Sequence, residues 1–119
     1  MTSIDDYFNH RDNSKALFEI LLPIIKDTGN SEMSISKSQI AFHRKKAFAW
    51  VWIPGKYLRG KTAPLVLTIA LPYRDPSHRW KEVVEQETGH FIHHLELFTN
   101  ADIDSEASDW LRTAWEQAG

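Results

Sequence analysis

The sequence predicts an α+β domain in which an N-terminal helix, about five antiparallel strands and a C-terminal helix follow one another, both helices on one face of the sheet. Three observations carry this reading. Apolar residues recur at helical spacing near both ends of the chain, short β-branched and aromatic runs broken by turn-like residues fill the middle, and 119 residues suit a single domain, residues 1–119, with one core.

The elements follow in order. Ser3 before IDDYF predicts a short capped helical turn, because its oxygen can accept free backbone N–H groups and early aspartates suit the positive helix end. The first long helix is expected from about Ser14 to Asp27, where Leu17, Phe18, Leu21, Ile24 and Ile25 share one face, with Gly29 ending it. Pro23 interrupts that run and predicts a kink or break near Leu22, since proline lacks the N–H and crowds the preceding turn. From Met33 the pattern turns to strands: MSIS, QIAFHR, FAWVWIP, PLVLTIALP and FIHHLELF. HRKK is short enough for a hairpin turn, whereas WKEVVEQ (80–86) reads equally as an irregular strand or a short helix. Ile103, Ala107, Trp110, Leu111, Ala114, Trp115 and Ala118 mark the last helix, with Asn100, Asp102 or Asp104 as its N-cap.

Composition narrows the function. Hydrophobic residues at 42% and charged residues at 25% fit a folded globular chain and argue against disorder. No cysteine is present, which removes thiol nucleophiles, disulfides and cysteine-zinc sites. The polar, acidic N-terminus lacks a signal peptide's basic start and apolar stretch, and no run of about 18 apolar residues could span a bilayer. A cytoplasmic location without membrane attachment is therefore expected. No Gly-rich phosphate loop, nucleophile elbow or metalloprotease helix motif occurs, so a binding module is favoured over an enzyme, with no cofactor expected.

Charge is segregated. Residues 37–81 carry ten basic side chains against one acid, a net of +9, while the segments on either side are acidic. Lys37, the Arg44-Lys45-Lys46 turn, Arg59 and Arg79 thus become candidate ligands for an anion, with Tyr57, Tyr73 and Trp80 interspersed as rings that can stack on unpaired bases. Solvated lysines at turns and edge strands are the bland alternative. In FAWVWIP both strand faces are apolar, which predicts a central strand with Trp50 and Trp52 in core packing. An aromatic-floored groove on the second face is the other reading.

GHFIHHLEL places His90, His93 and His94 within five positions. On a helix they would share a face; on a strand His90 and His94 stand roughly 13 Å apart at about 3.3 Å per residue, and His93 and His94 point oppositely. The alternation of Phe91, His93, Leu95 and Leu97 favours the strand, so no metal site is expected and His93 leans toward the core. His94 and His93 stay on the candidate list, His94 as the ligand-facing one. An acid/base role for His94 or His78, with Asp75 and Arg79 nearby, is the best form of the enzyme case.

SISKSQIAF, FAWVWIP, LPYRDPSHRWKEVVE, GHFIHHLEL and DIDSEASDWLRTAWEQA together resemble, over nearly the whole chain, the bacterial domain-of-unknown-function family numbered fifty-six fifty-five. In that family a Lys-Ser/Thr-x-Ile-Ala-Phe segment, a basic loop and a His-His pair precede a terminal helix. Lys37 to Phe42, Arg79, and His93 with His94 would correspond, with His78 standing where the pattern has proline. The layout is also loosely similar to small bacterial domains of the YjbR type, for which a DNA-binding role has been suggested; that is an analogy of fold, not of function. The leading expectation is a module that binds an anionic ligand, nucleic acid first. The alternatives are a small-molecule or acid/base site around Lys37, Arg79, His93 and His94, and a protein-interaction module.

Overall fold

Residues 2–119 are described by a computed structural model, in which helices α1 (Ile4–Tyr7) and α2 (Asp12–Thr28) precede six strands and α3 (Ser105–Gln117) closes the chain. The strands are β1 (Glu32–Ile35), β2 (Ile40–His43), β3 (Ala47–Trp52), β4 (Leu65–Leu71), β5 (Trp80–Glu87) and β6 (His90–Leu97). Every neighbouring pair is antiparallel, in the spatial order β1-β2-β3-β4-β6-β5. The fold class is the one the sequence predicts, with one strand more. That strand is β5, the ambiguous 80–86 segment: it pairs with β6 through two register shifts and is exposed along most of its length. An edge strand needs only one buried row, which is why its pattern is weak.

Local chemistry accounts for the helix ends. Ser3 accepts from the Asp6 N–H at 3.1 Å while Asp6 accepts from the Ser3 N–H at 3.3 Å, a reciprocal capping box. Pro23 neither breaks nor ends α2, which continues to Thr28. Pro23 and Glu19 both lie on the exposed side, so the carbonyl deprived of its N–H partner faces water, where the loss costs little. Of the three candidate caps of α3, Asp104 serves, accepting from the Ala107 N–H at 3.1 Å.

Both long helices cover one face of the sheet. Phe18, Leu21, Ile25, Ala107, Leu111 and Ala114 meet Ile40, Phe42, Ala49, Val51, Leu67, Ile69, Leu95 and Leu97 in one core. The β4–β5 connection has to pass from one end of the sheet to the other, because β6 lies between two parallel-running strands. It is fastened by His93, whose side chain is fully buried. No helix among the described residues is long and apolar enough to cross a membrane.

Candidate functional site

Neither α2 nor α3 packs on the opposite face of the sheet, and its residues follow from strand register. Ala41, Trp50, Thr68, His94 and Glu82 form one cross-strand row over five strands; Ala70, Ile92 and Val84 form another. Large and small side chains alternate across these rows, and the small ones make a depression. Strands lie about 4.8 Å apart, so Trp50 and His94, two strands apart, stand roughly 10 Å from each other with only Thr68 between them. Trp52 leans in from the diagonal. The turn between β1 and β2 and the segment after β3 close one end of the depression, where the Tyr57 hydroxyl donates to the Ser38 carbonyl at 3.1 Å.

The result is a groove of about 420 Å³ lined by Ser38, Gln39, Trp50, Trp52, Tyr57, Thr68, Gln86, Ile92 and His94. Its size is that of a small-molecule site. None of these side chains is an acid, a lysine or an arginine.

Thr68 organises the floor. The Trp52 indole can only donate, and it gives its Nε1–H to Thr68 Oγ1 at 2.8 Å. The same Oγ1 lies 2.8 Å from His94 Nδ1. Assigning the hydroxyl hydrogen to Nδ1 gives each hydrogen in this chain an acceptor and leaves the ring proton of His94 on Nε2. Burial pushes the His94 pKa down, more than the facing Glu82 raises it, so the imidazole is neutral at neutral pH. Trp52 also meets the His94 ring edge-on, with centroids 5.8 Å apart.

His93 points the other way, as alternation requires. Its Nε2 accepts the Asp75 backbone N–H at 3.0 Å and is therefore unprotonated; the other ring nitrogen, Nδ1, lies 3.1 Å from the Phe91 carbonyl and donates to it. Trp80 packs edge-on against the ring at 4.7 Å and donates its Nε1–H to Asp75 Oδ2 at 2.9 Å. Both nitrogens are thus committed, which makes His93 the fastener of the β4–β5 connection. Burial lowers its pKa as well.

The remaining candidates divide by place. Lys37 lies in the turn that closes the groove, and Arg59 lies just past Tyr57; both are exposed. Arg44, Lys45 and Lys46 form the β2–β3 turn at the other end of the sheet. There Arg44 stacks on Trp115 at 3.6 Å, and the backbone N–H groups of Lys45 and Lys46 donate to the Ala118 carbonyl at 2.9 and 3.1 Å. Arg79 is held at the start of α3: it bonds Asp104 at 3.0 Å, Glu106 at 2.8 Å and the Asp102 carbonyl at 2.8 Å. Asp104's carboxyl is raised by its partial burial, but the Ala107 N–H and Arg79 outweigh that and hold it below the usual range. The ten cations do not form one surface. Of the six candidate cations, only Lys37 and Arg59 lie on the segments that close the groove, while Arg79 and His93 serve the helix-covered side. Among the described residues no three His, Asp or Glu side chains gather as a metal site needs.

Trp50 and Trp52 correct the expectation of core packing: both are half-buried and line the groove. An apolar run on a central strand looks the same whether its second face is covered or open. Thr68 escaped sequence reasoning although it carries a signal, being the one polar residue in LVLTIAL. Gln39, in the β1–β2 turn, and Gln86, on an edge strand, carry none, since exposed glutamines in such places are common.

Two neutral histidines have a consequence for stability. Each has a folded pKa below its ordinary value of about 6.5, so the unfolded chain takes up the proton first. Stability is therefore full above pH 6.5 and falls as the pH drops toward the folded pKa values, by up to about 1.4 kcal/mol per pH unit for each group. Urea midpoints measured from pH 7.5 to 5 should fall steadily below 6.5, and less steeply in His94→Gln. A flat profile over that range would contradict the neutral assignment.

The profile of one family, described as Domain of unknown function (DUF5655), matches residues 4–118. No curated protein and no solved structure matches the chain.

Proposed function

The chain belongs to the DUF5655 family, and from the chemistry of its groove we propose that it is a binding module that takes the neutral, planar part of a small ligand on the open face of its sheet. The observation that carries this reading is a lining of three aromatic rings, two side-chain amides, three hydroxyls and an imidazole that burial biases toward its neutral form, with no acid, lysine or arginine among them. An ion buried there without a counter-charge would be strongly disfavoured. A flat ring with polar edges is not. It gains contact with Trp50 and Trp52 and meets donors and acceptors already positioned, the usual division of labour in small-ligand sites.

The broad anion-binding reading, with all six candidate cations acting together, draws less support. Those residues lie at opposite ends of the sheet, and Arg79 and Arg44 are occupied by partners within the chain. An acid/base role shared by His93 and His94 is likewise unsupported, because the two rings lie on opposite faces.

A thermal-shift and NMR screen with uncharged ring compounds tests the proposal. Hits should move the indole N–H signals of Trp50 and Trp52 and leave those of Trp80, Trp110 and Trp115 in place. Thr68→Val keeps the shape of the floor but removes its hydroxyl, leaving Trp52 and His94 without their shared partner. It should lower stability by about 1–3 kcal/mol and weaken hits at least tenfold. Binding that survives both Thr68→Val and Trp50→Ala unchanged would place the ligand elsewhere.

A further inference from the structure

Two cations are carried by the segments that close the groove. Lys37 immediately precedes Ser38 and Gln39, and Arg59 follows Tyr57 by two residues; the Tyr57–Ser38 hydrogen bond joins these segments at one end of the sheet. Both side chains are exposed, and neither has an ion pair among the described residues. Lys56 differs: although it lies between them in sequence, it is spent on Tyr7, with its Nζ 3.6 Å from the ring centre and 3.1 Å from the backbone carbonyl.

We infer, resting on the groove reading above, that the ligand is a nucleotide, with its base in the groove between Trp50 and His94 and its phosphate at the rim on Lys37 and Arg59. The match is one of charge and of edge chemistry. A nucleobase is a neutral planar ring, and every base offers a face that an indole can stack on. Base edges present donors and acceptors side by side, which the amides of Gln39 and Gln86 complement because each carries both. The anionic part of the same molecule has to leave the neutral groove, and the two segments that close its end are the ones that carry Lys37 and Arg59. A saccharide would also use the ring faces and amides, but it would leave the rim cations without a role. The shared chemistry, one base and one phosphate, is supplied by a free nucleotide or by an unpaired nucleotide within a strand.

The test titrates the full chain with the four ribonucleoside 5′-monophosphates, the matching nucleosides, mixed-sequence single-stranded DNA and RNA ten-mers, and maltose and cellobiose, following the indole signals by NMR. At least one monophosphate should bind roughly tenfold more tightly than its nucleoside. Lys37→Gln/Arg59→Gln should erase that advantage without changing nucleoside affinity, and Trp50→Ala should weaken both by roughly 5- to 100-fold. Ten-mer binding that shifts the same indoles and falls with salt identifies a strand as the source; monophosphate binding alone identifies the free nucleotide. Either supports the inference. Equal affinity for nucleoside and monophosphate overturns it, as does a response to the disaccharides or to uncharged rings without one to nucleotides; of these, a response to uncharged rings leaves the groove reading standing. Silence across all of these probes and the uncharged ring screen sinks both.

Discussion

His93→Ala should lower the unfolding free energy by about 4–5 kcal/mol, the largest effect expected of any single substitution discussed. The ring is fully buried, packs against Trp80, and uses both nitrogens, one accepting from the Asp75 N–H and one donating to the Phe91 carbonyl. Truncation removes an aromatic-sized volume from a close-packed layer, which by itself costs about 3–5 kcal/mol when the surroundings do not collapse. It also leaves the Asp75 N–H without an acceptor, a penalty of about 1–3 kcal/mol that solvent entering the cavity offsets in part. Small domains are held by about 5–15 kcal/mol, so the variant should stand near the limit of folding. His93→Phe separates the two contributions, because it restores the volume but not the acceptor, and should recover more than half of the loss. Urea denaturation of the three proteins measures this. An alanine variant within 1 kcal/mol of the parent would mean that His93 does not fasten the β4–β5 connection.

Gly29→Ala comes second, with an expected loss of about 3 kcal/mol. The indole of Trp115 lies directly against the Gly29 α-carbon, so an added β-carbon would overlap Cε2 and Cζ2 of that ring. The indole has no easy escape. Its Nε1–H is bonded to the Asn30 carbonyl at 2.9 Å, and the Arg44 guanidinium stacks on the ring at 3.6 Å. Displacing it loses a hydrogen bond and a cation–π contact and strains the junction between the end of α2 and the end of α3, within the range of overpacking penalties. The melting temperature should fall by roughly 10 °C. A double-mutant cycle isolates the cause: on a Trp115→Ala background the same substitution should cost under 1 kcal/mol. An equal cost on both backgrounds would trace the effect to the glycine backbone instead.

These two residues show where sequence reading succeeds and where it stops. Gly29 was legible as a helix end, because glycine follows a periodic run. That it is also the seat of a tryptophan 86 residues further along was not, since the contact is made only when α3 docks beside α2. His93 was legible as inward-leaning because strand alternation is a local rule, and its opposition to His94 followed from the same rule. Its partner Asp75 was not legible, because the connection that carries Asp75 crosses the sheet and no periodicity governs a crossover. The capped first turn, the apolar faces of α2 and α3 and five of six strands were written in local spacing. β5 was ambiguous because an exposed edge strand buries too little to leave a pattern.

The charged segment illustrates the limit most clearly. The net of +9 over residues 37–81 is a property of the sequence, but convergence is a property of three dimensions. Antiparallel pairing sends successive turns to opposite ends of the sheet, which separates Lys37 and Arg59 from Arg44, Lys45 and Lys46. The acidic residues at the start of α3 then hold Arg79 there, paired with the capping Asp104 and with Glu106. The sequence by itself determined the fold class, the facing of His93 and His94 and the absence of thiol chemistry, because each depends on residue type and on spacing within one element. Only the tertiary structure decided that Trp50, Thr68 and His94 share one row, and that a depression opens between them. Cross-strand register sets those neighbours, and register is fixed by the packing of the whole sheet against its helices.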